Sequence, residues 1–280
     1  MNTNLIKRIE IKGLFHQYDL KWDLNPDVNI LVGTNGIGKS TILRTINALL
    51  SKKYSYIRDW KMDVEIHLTD NSLLSYDNLK PQKNISIQPN YEYITTFDVP
   101  LRDKTKITQS ETPLDKELQQ ILYTTGKENQ NSFINYRLKA THSPKLASTI
   151  NQRIDNFFDS INVFFAETKK TIDIDHNFNK IIFHQNKSVI ALEQLSSGEK
   201  QILLILFTVF LMEKKQYILL MDEPEISLHI GWQQRLIDVI QQMNPNCQLI
   251  IATHSPSIFG KGWGSKLFFV KDLIQNYERR

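Results

Sequence analysis

The stretch Gly33-Thr34-Asn35-Gly36-Ile37-Gly38-Lys39-Ser40-Thr41 constrains the fold of this chain more than any other. The apolar run Val28–Val32 feeds into it and reads as a buried strand. After it, Ile42, Leu43, Ile46, Leu49 and Leu50 fall on one helical face. Strand, glycine loop and helix together make a cradle for phosphate. Glycines let successive backbone N–H groups converge on anionic oxygens, and the helix N-terminus adds a favourable dipole. A glycine turn ahead of an ordinary helix is the plainer alternative, and the flanking pattern argues against it.

The rest of the chain is that of a soluble globular protein. The longest apolar run, Ile202–Met212, is bracketed by Glu199, Lys200, Glu213 and Lys214. It is well short of the roughly 20 residues that cross a bilayer, and reads as a helix buried in a core. The opening residues, Met1–Gly13, show no apolar segment of the signal-peptide kind. Cys247 is the single cysteine, so an internal disulfide is excluded. These features predict a cytoplasmic protein with no membrane partner. A net charge of +4 is too mild to imply nucleic acid by itself.

Val64, Ile66 and Leu68 alternate with polar residues ahead of Asp70-Asn71, a hairpin signal, and a second hairpin is expected at Asn186-Lys187. Between them, residues 113–169 change character. Leu114, Leu118, Ile121 and Leu122 are spaced as in a helix, as are Ile150, Ile154, Phe157, Phe158, Ile161 and Phe165. A short helical lobe is expected there, broken at Thr141–Lys145, inserted within one domain spanning 1–280. After residue 195 come a buried helix, a strand at Tyr217–Asp222, a helix at Gly231–Met243 and a strand at Gln248–His254. Near-continuous apolar strands alternating with helices predict a mostly parallel sheet covered on both faces. Lys52-Lys53 and Lys169-Lys170 are expected in solvent.

Gly33 to Ser40 matches the Walker A pattern in full. In that motif Lys39 reaches the β- and γ-phosphates, and Ser40 offers a hydroxyl to Mg²⁺. Asp222 and Glu223 end an apolar strand, as in a Walker B motif. Asp222 is the candidate Mg²⁺ ligand, and Glu223 the candidate that orients and activates water. Together these define a P-loop NTPase. Leu195-Ser196-Ser197-Gly198-Glu199 precedes the second motif, and His254 follows it. With those two features the chain resembles the ATP-binding-cassette (ABC) ATPases. The resemblance implies ATP bound along Gly33, Thr34, Asn35, Gly36, Ile37, Gly38, Lys39, Ser40 and Thr41. It also implies that Ser196, Ser197, Gly198 and Glu199 meet nucleotide held by a second copy, giving a homodimer around two Mg-ATP. His254 takes the place of the family's switch histidine, beside Glu223 and Lys39 as catalytic candidates. A well-capped helix is the plainer reading of Ser196.

Three departures from the transporter pattern point to one branch. The opening resembles the SMC, RecF and OLD-like ATPases. Glu223-Pro224-Glu225-Ile226-Ser227-Leu228-His229 resembles the OLD-like and Septu-type ATPases of bacterial anti-phage systems. Tyr91–Pro100 resembles the segment those proteins carry at the usual Q-loop position, where Thr96 and Asp98 are the candidates. The implied architecture is an α/β ABC ATPase head: a mostly parallel core sheet, an antiparallel β subdomain and a short helical insert. The implied function is an ATPase that dimerises around two Mg-ATP and regulates a partner effector, a nuclease or toxin, in anti-phage defence. Residues 255–280 carry no acidic metal cluster, so no nuclease is expected there. Two alternatives stay open: a DNA repair or chromosome-maintenance ATPase, for which DNA is a partner, and the nucleotide-binding subunit of a transporter. Tyr18 is the candidate for stacking on adenine.

Overall fold

The computed structural model describes residues 4–78, 88–95, 112–125, 132–142, 144–175, 180–260 and 262–275. The chain clusters into two compact units. One comprises Met1–Thr96, Lys214–Glu225 and Gln233–Arg280, and the other Phe97–Glu213 with Ile226–Trp232.

The first unit opens with β1 (Ile6–Leu14), β2 (Tyr18–Asp23) and β3 (Val28–Val32). Helices α1 (Lys39–Leu50) and α2 (Ser55–Asp59) follow, then β4 (Asp63–Leu68), β5 (Leu73–Tyr76) and β6 (Tyr91–Ile94). The second unit holds α3 (Pro113–Tyr123), α4 (Phe133–His142), α5 (Pro144–Phe165), β7 (Lys170–Asp175), β8 (Lys180–Gln185), β9 (Ser188–Ile190) and α6 (Ser197–Leu211). The first unit is completed by β10 (Tyr217–Asp222), most of α7 (Ile230–Met243), β11 (Cys247–Thr253), α8 (Pro256–Phe259), β12 (Leu267–Phe269) and α9 (Val270–Leu273).

The core sheet of the first unit has the order β12-β3-β11-β10-β6, with every neighbouring pair parallel. Its central strands β3 and β11 are buried along their whole length. That is why they read as unbroken apolar runs: a parallel strand covered on both faces has no polar side to alternate with. The second sheet, β2-β1-β4-β5, is antiparallel. There β4 alternates buried and half-buried residues, because only one face packs. Ile9, Ile11 and Trp22 of that sheet share one core with Ile42, Leu43 and Ile46 of α1 and with Leu220 and Ile250 of the parallel sheet. Gln248 joins the two sheets: its amide nitrogen donates to the Ile6 carbonyl at 2.8 Å and its amide oxygen accepts from the Ile6 N–H at 2.9 Å.

In the second unit α6 is buried at nearly every position, with α3, α4 and α5 packed on it. A helix apolar all round has no solvent face, so burial rather than amphipathic spacing explains its sequence. The aromatic residues Phe157, Phe158, Phe164 and Phe165 are buried. Phe157 stacks on Phe210 of α6 at 4.3 Å between centroids, and Phe164 meets Trp232 edge-on at 6.0 Å. Arg153 lies over the Phe210 ring at 4.4 Å and donates to the Phe210 carbonyl, satisfying an acceptor in the last turn of α6.

Both expected hairpins are present. The turn between β8 and β9 has Asn186 at φ 48° and Lys187 at φ 72°, the left-handed pair that a two-residue hairpin loop requires. Helices α3 and α5 carry the residues whose spacing predicted them, and α4 lies between, ending at His142 with α5 starting at Pro144. Among the described residues no helix is long and apolar enough to cross a membrane. One expectation fails: Lys170 is not in solvent but only 8 % exposed, because it pairs with a buried carboxylate.

Candidate functional site

Three loops leave the carboxyl ends of the parallel strands β3, β11 and β10, where such sheets place ligands. Register aligns them: Thr253 pairs with Val32, and Ala252 with Asp222. The loop after β3 ends at Gly38, which caps α1 with φ 105°. A side chain there would be strained by the backbone and would also meet the Phe15 ring, with Cβ only 2.7 Å from Cε2. No side chain caps α1, and its first turn holds no acidic residue, an arrangement that suits an anion at the helix N-terminus.

Lys39 is 5 % exposed. Its ammonium donates to the carbonyls of Gly33 at 2.9 Å and Thr34 at 3.4 Å. Ser40 Oγ donates to Asp222 Oδ1 at 2.8 Å, tying the first turn of α1 to the end of β10. Burial pushes the Asp222 carboxyl above its ordinary value; Glu223 pushes the same way, while Ser40, Arg44 and Lys39 pull it back. Glu223 sits at φ 50°, with its N–H donating to the Ala252 carbonyl at 2.8 Å. His254 Nδ1 lies 3.5 Å from Oε1 of both Glu223 and Glu225. A solvent-open cleft of about 240 Å³ is lined by Phe15, Asn35, Gly36, Gly38, Thr41, Lys39, Ser40 and Glu223.

Phe15 and Tyr18 both pack, partly buried, against the core, and Phe15 also lines the cleft. The hairpin tip turns the chain through φ 54° at Phe15 and φ 60° at His16, which aims position 15, not 18, at the glycine loop. Thr96 and Asp98 lie outside the described residues. Glu225 is a site residue that sequence reasoning named without giving it a role. It is 5 % exposed, and its Oε1 accepts from Thr253 Oγ1, the His254 N–H at 3.2 Å and the Ser255 N–H at 3.3 Å. A carboxylate two residues past Glu223 was its only signal in the sequence.

Ser196, Ser197, Gly198 and Glu199 belong to the second unit. Ser196 caps α6 in a reciprocal box: its Oγ accepts from the Glu199 N–H at 3.2 Å, and Glu199 Oε2 accepts from the Ser196 N–H at 2.7 Å. The well-capped helix is therefore present, and the Ser196 hydroxyl keeps its own proton for another acceptor. Ser196 and Ser197 are exposed, whereas Gly198 and Glu199 are buried. Glu199 is 1 % exposed and its Oε2 accepts from both the Ser196 N–H and Lys170 Nζ. Burial pushes the Glu199 carboxyl up, and Lys170, the Ser196 N–H and Thr168 together hold it below its ordinary value.

Gly198 is required by close approach. A Cβ there would lie 2.3 Å from the Ser227 carbonyl oxygen, itself backbone at φ 67°. Gly198→Ala is expected to lower stability by about 1–3 kcal/mol, as overpacking does. Thermal unfolding checks this; an unchanged midpoint would mean that the backbone at Ser227 yields freely.

A glycine loop, two strand-end carboxylates and a histidine on a parallel sheet define a P-loop ATPase fold of the ABC type. The chain belongs to the family described as "AAA domain, putative AbiEii toxin, Type IV TA system", which matches residues 65–260, well over half its length. It is 25 % identical to a Septu protein PtuA of Bacillus thuringiensis, over 90 % of this chain and 72 % of that one. It is 26 % identical to the "Retron Ec83 probable ATPase" of Escherichia coli over 55 % of this chain, but spans only 32 % of that protein. Its fold is similar to an SMC head bound to the C-winged helix domain of ScpA, with a TM-score of 0.57 at 16 % identity and 91 % of both chains covered. The resemblance drawn from residues 223–229 to Septu-type ATPases is thereby borne out.

Proposed function

We propose that this chain binds Mg-ATP in the cleft at Lys39, closes around two nucleotides with a second copy, and reopens on hydrolysis. The observation that carries the reading is the Ser40–Asp222 hydrogen bond beside the buried Lys39 ammonium, with Glu223 on the same cleft. The residues fit the group. A nearly buried ammonium whose hydrogen-bond acceptors are neutral carbonyls favours an incoming anion, and a serine–aspartate pair is an oxygen donor set for a hard cation.

Each residue then has a defined task. The first-turn N–H groups of α1 and Lys39 hold the phosphates. Phe15 walls the cleft and offers a face to the base. Ser40 and Asp222 would hold Mg²⁺, which when bound neutralises charge on the β- and γ-phosphate oxygens. Glu223 takes the proton of the attacking water. His254, held by Glu225 through its backbone N–H and lying 3.5 Å from Glu223, faces the same reaction. The exposed Ser196 and Ser197 of one copy complete the site of the other. By analogy with its Septu and retron relatives, the opening and closing controls a separate effector of nuclease or toxin type in anti-phage defence.

Light scattering on a sizing column tests the closure. Glu223→Gln is expected to double its mass when Mg-ATP is added. Ser196→Arg in that background should bind ATP as before and stay at the lower mass, because arginine fills the exposed turn. A mass indifferent to ATP in the first protein, or doubling in the second, would contradict the sandwich.

A further inference from the structure

The turn that presents Ser196 and Ser197 is anchored by two ion pairs that its capping box does not need. Lys170 Nζ donates to Glu199 Oε2 at 2.7 Å, with the lysine 8 % and the glutamate 1 % exposed. Lys200 Nζ lies 2.8 Å from Asp115 Oδ1, both side chains mostly buried. Glu199 and Lys200 are adjacent in the first turn of α6, yet they reach different elements. Lys170 begins β7, directly after the turn Ala166–Thr168 that ends α5 and a left-handed Lys169 at φ 55°. Asp115 sits in the capping box of α3, where it accepts from the Thr112 N–H at 3.0 Å.

The charge on Glu199 calls for an explanation. A capping box works equally well with glutamine, which would cost nothing to desolvate as an ion. Removing two charges from water is expensive, and replacing a buried pair by neutral groups is often neutral or stabilising. The Lys170–Glu199 pair is therefore poorly explained by stability. What it does uniquely is fix geometry. The carboxylate that accepts from the Ser196 N–H is the same oxygen that Lys170 holds. Any displacement of β7 or of the end of α5 pulls on the Ser196 turn through one shared atom. Lys200 repeats the arrangement toward α3, and the Ser227 carbonyl against Gly198 blocks movement on another side.

We infer that Lys170 is a positioning residue: through Glu199 it sets the orientation of the Ser196–Ser197 turn, and thereby the ability of one copy to close on nucleotide held by another. This rests on the sandwich reading above.

The test uses the full chain carrying Glu223→Gln. Lys170→Met is added, and ATP binding is measured by equilibrium dialysis alongside solution mass across a protein dilution series. ATP binding per chain should change by less than about twofold, while the concentration needed for half-dimer should rise about tenfold, within the range that coupling between sites spans. Lys170→Arg should restore closure. Because Lys170→Met leaves Glu199 buried and unpaired, the double change Lys170→Met with Glu199→Gln is measured too; it keeps the cap, removes both charges, and should melt no lower than its parent while still closing poorly. Closure by the double variant at the parent's concentration would overturn the inference and leave the pair a packing feature. A parent that never doubles its mass would instead remove the sandwich reading, and the positioning role with it.

Discussion

Glu223→Gln is expected to bind Mg-ATP normally and to release phosphate about 10²–10⁴-fold more slowly than the parent, the usual worth of a positioned general base. The reason lies in how the backbone holds this residue. At φ 50° Glu223 occupies the left-handed region, which costs a non-glycine residue about 1–2 kcal/mol. Its N–H is pinned to the Ala252 carbonyl at 2.8 Å, so the neighbouring strand enforces that conformation. The strand end is thus turned so that the carboxylate lines the cleft rather than packing beside β11. Glutamine keeps the shape and loses the basic oxygen. Single-turnover release of labelled phosphate reads the effect. Parental turnover would assign the base to another group and leave Glu223 a structural corner.

Lys39→Ala is expected to weaken ATP binding by about 100-fold or more, the loss of roughly two charge-assisted hydrogen bonds to phosphate. Lys39 is also tied to its own loop, through the Gly33 and Thr34 carbonyls. Truncation therefore frees two acceptors and loosens the cradle as well as removing the charge. Titration with a fluorescent ATP analogue measures the affinity, and a melting curve separates it from misfolding. Parental affinity in a folded variant would refute the loop as the phosphate site.

How far the site was legible depended on whether a residue acts through its neighbours in sequence or in space. The glycine loop is local: its N–H groups, Lys39 and Ser40 lie within one turn of each other, so spacing sufficed to find them. Asp222 and Glu223 were visible because a buried strand tolerates carboxylates only at its end. Glu225 was not weighed, since its partners Thr253, His254 and Ser255 arrive from another strand. Phe15 went unnamed because only the hairpin tip, with φ 54° at Phe15 and φ 60° at His16, brings that ring to the glycine loop. Lys170 read as one half of a solvated pair, because nothing in its own segment announces a buried glutamate 29 positions away.

By itself the sequence determined the main helices and strands, the hairpin turns, the glycine loop and the order of the motifs, because these follow from hydrophobic period, turn chemistry and local hydrogen bonding. The tertiary structure alone decided that Ser40 meets Asp222, that His254 stands between two glutamates, that Ser197 is exposed while Glu199 is buried, and that Lys170 pairs with Glu199. Contacts of that kind depend on strand order and register across the sheet and on which charges end up sharing a buried place. Those are properties of the packed chain, which no single segment encodes.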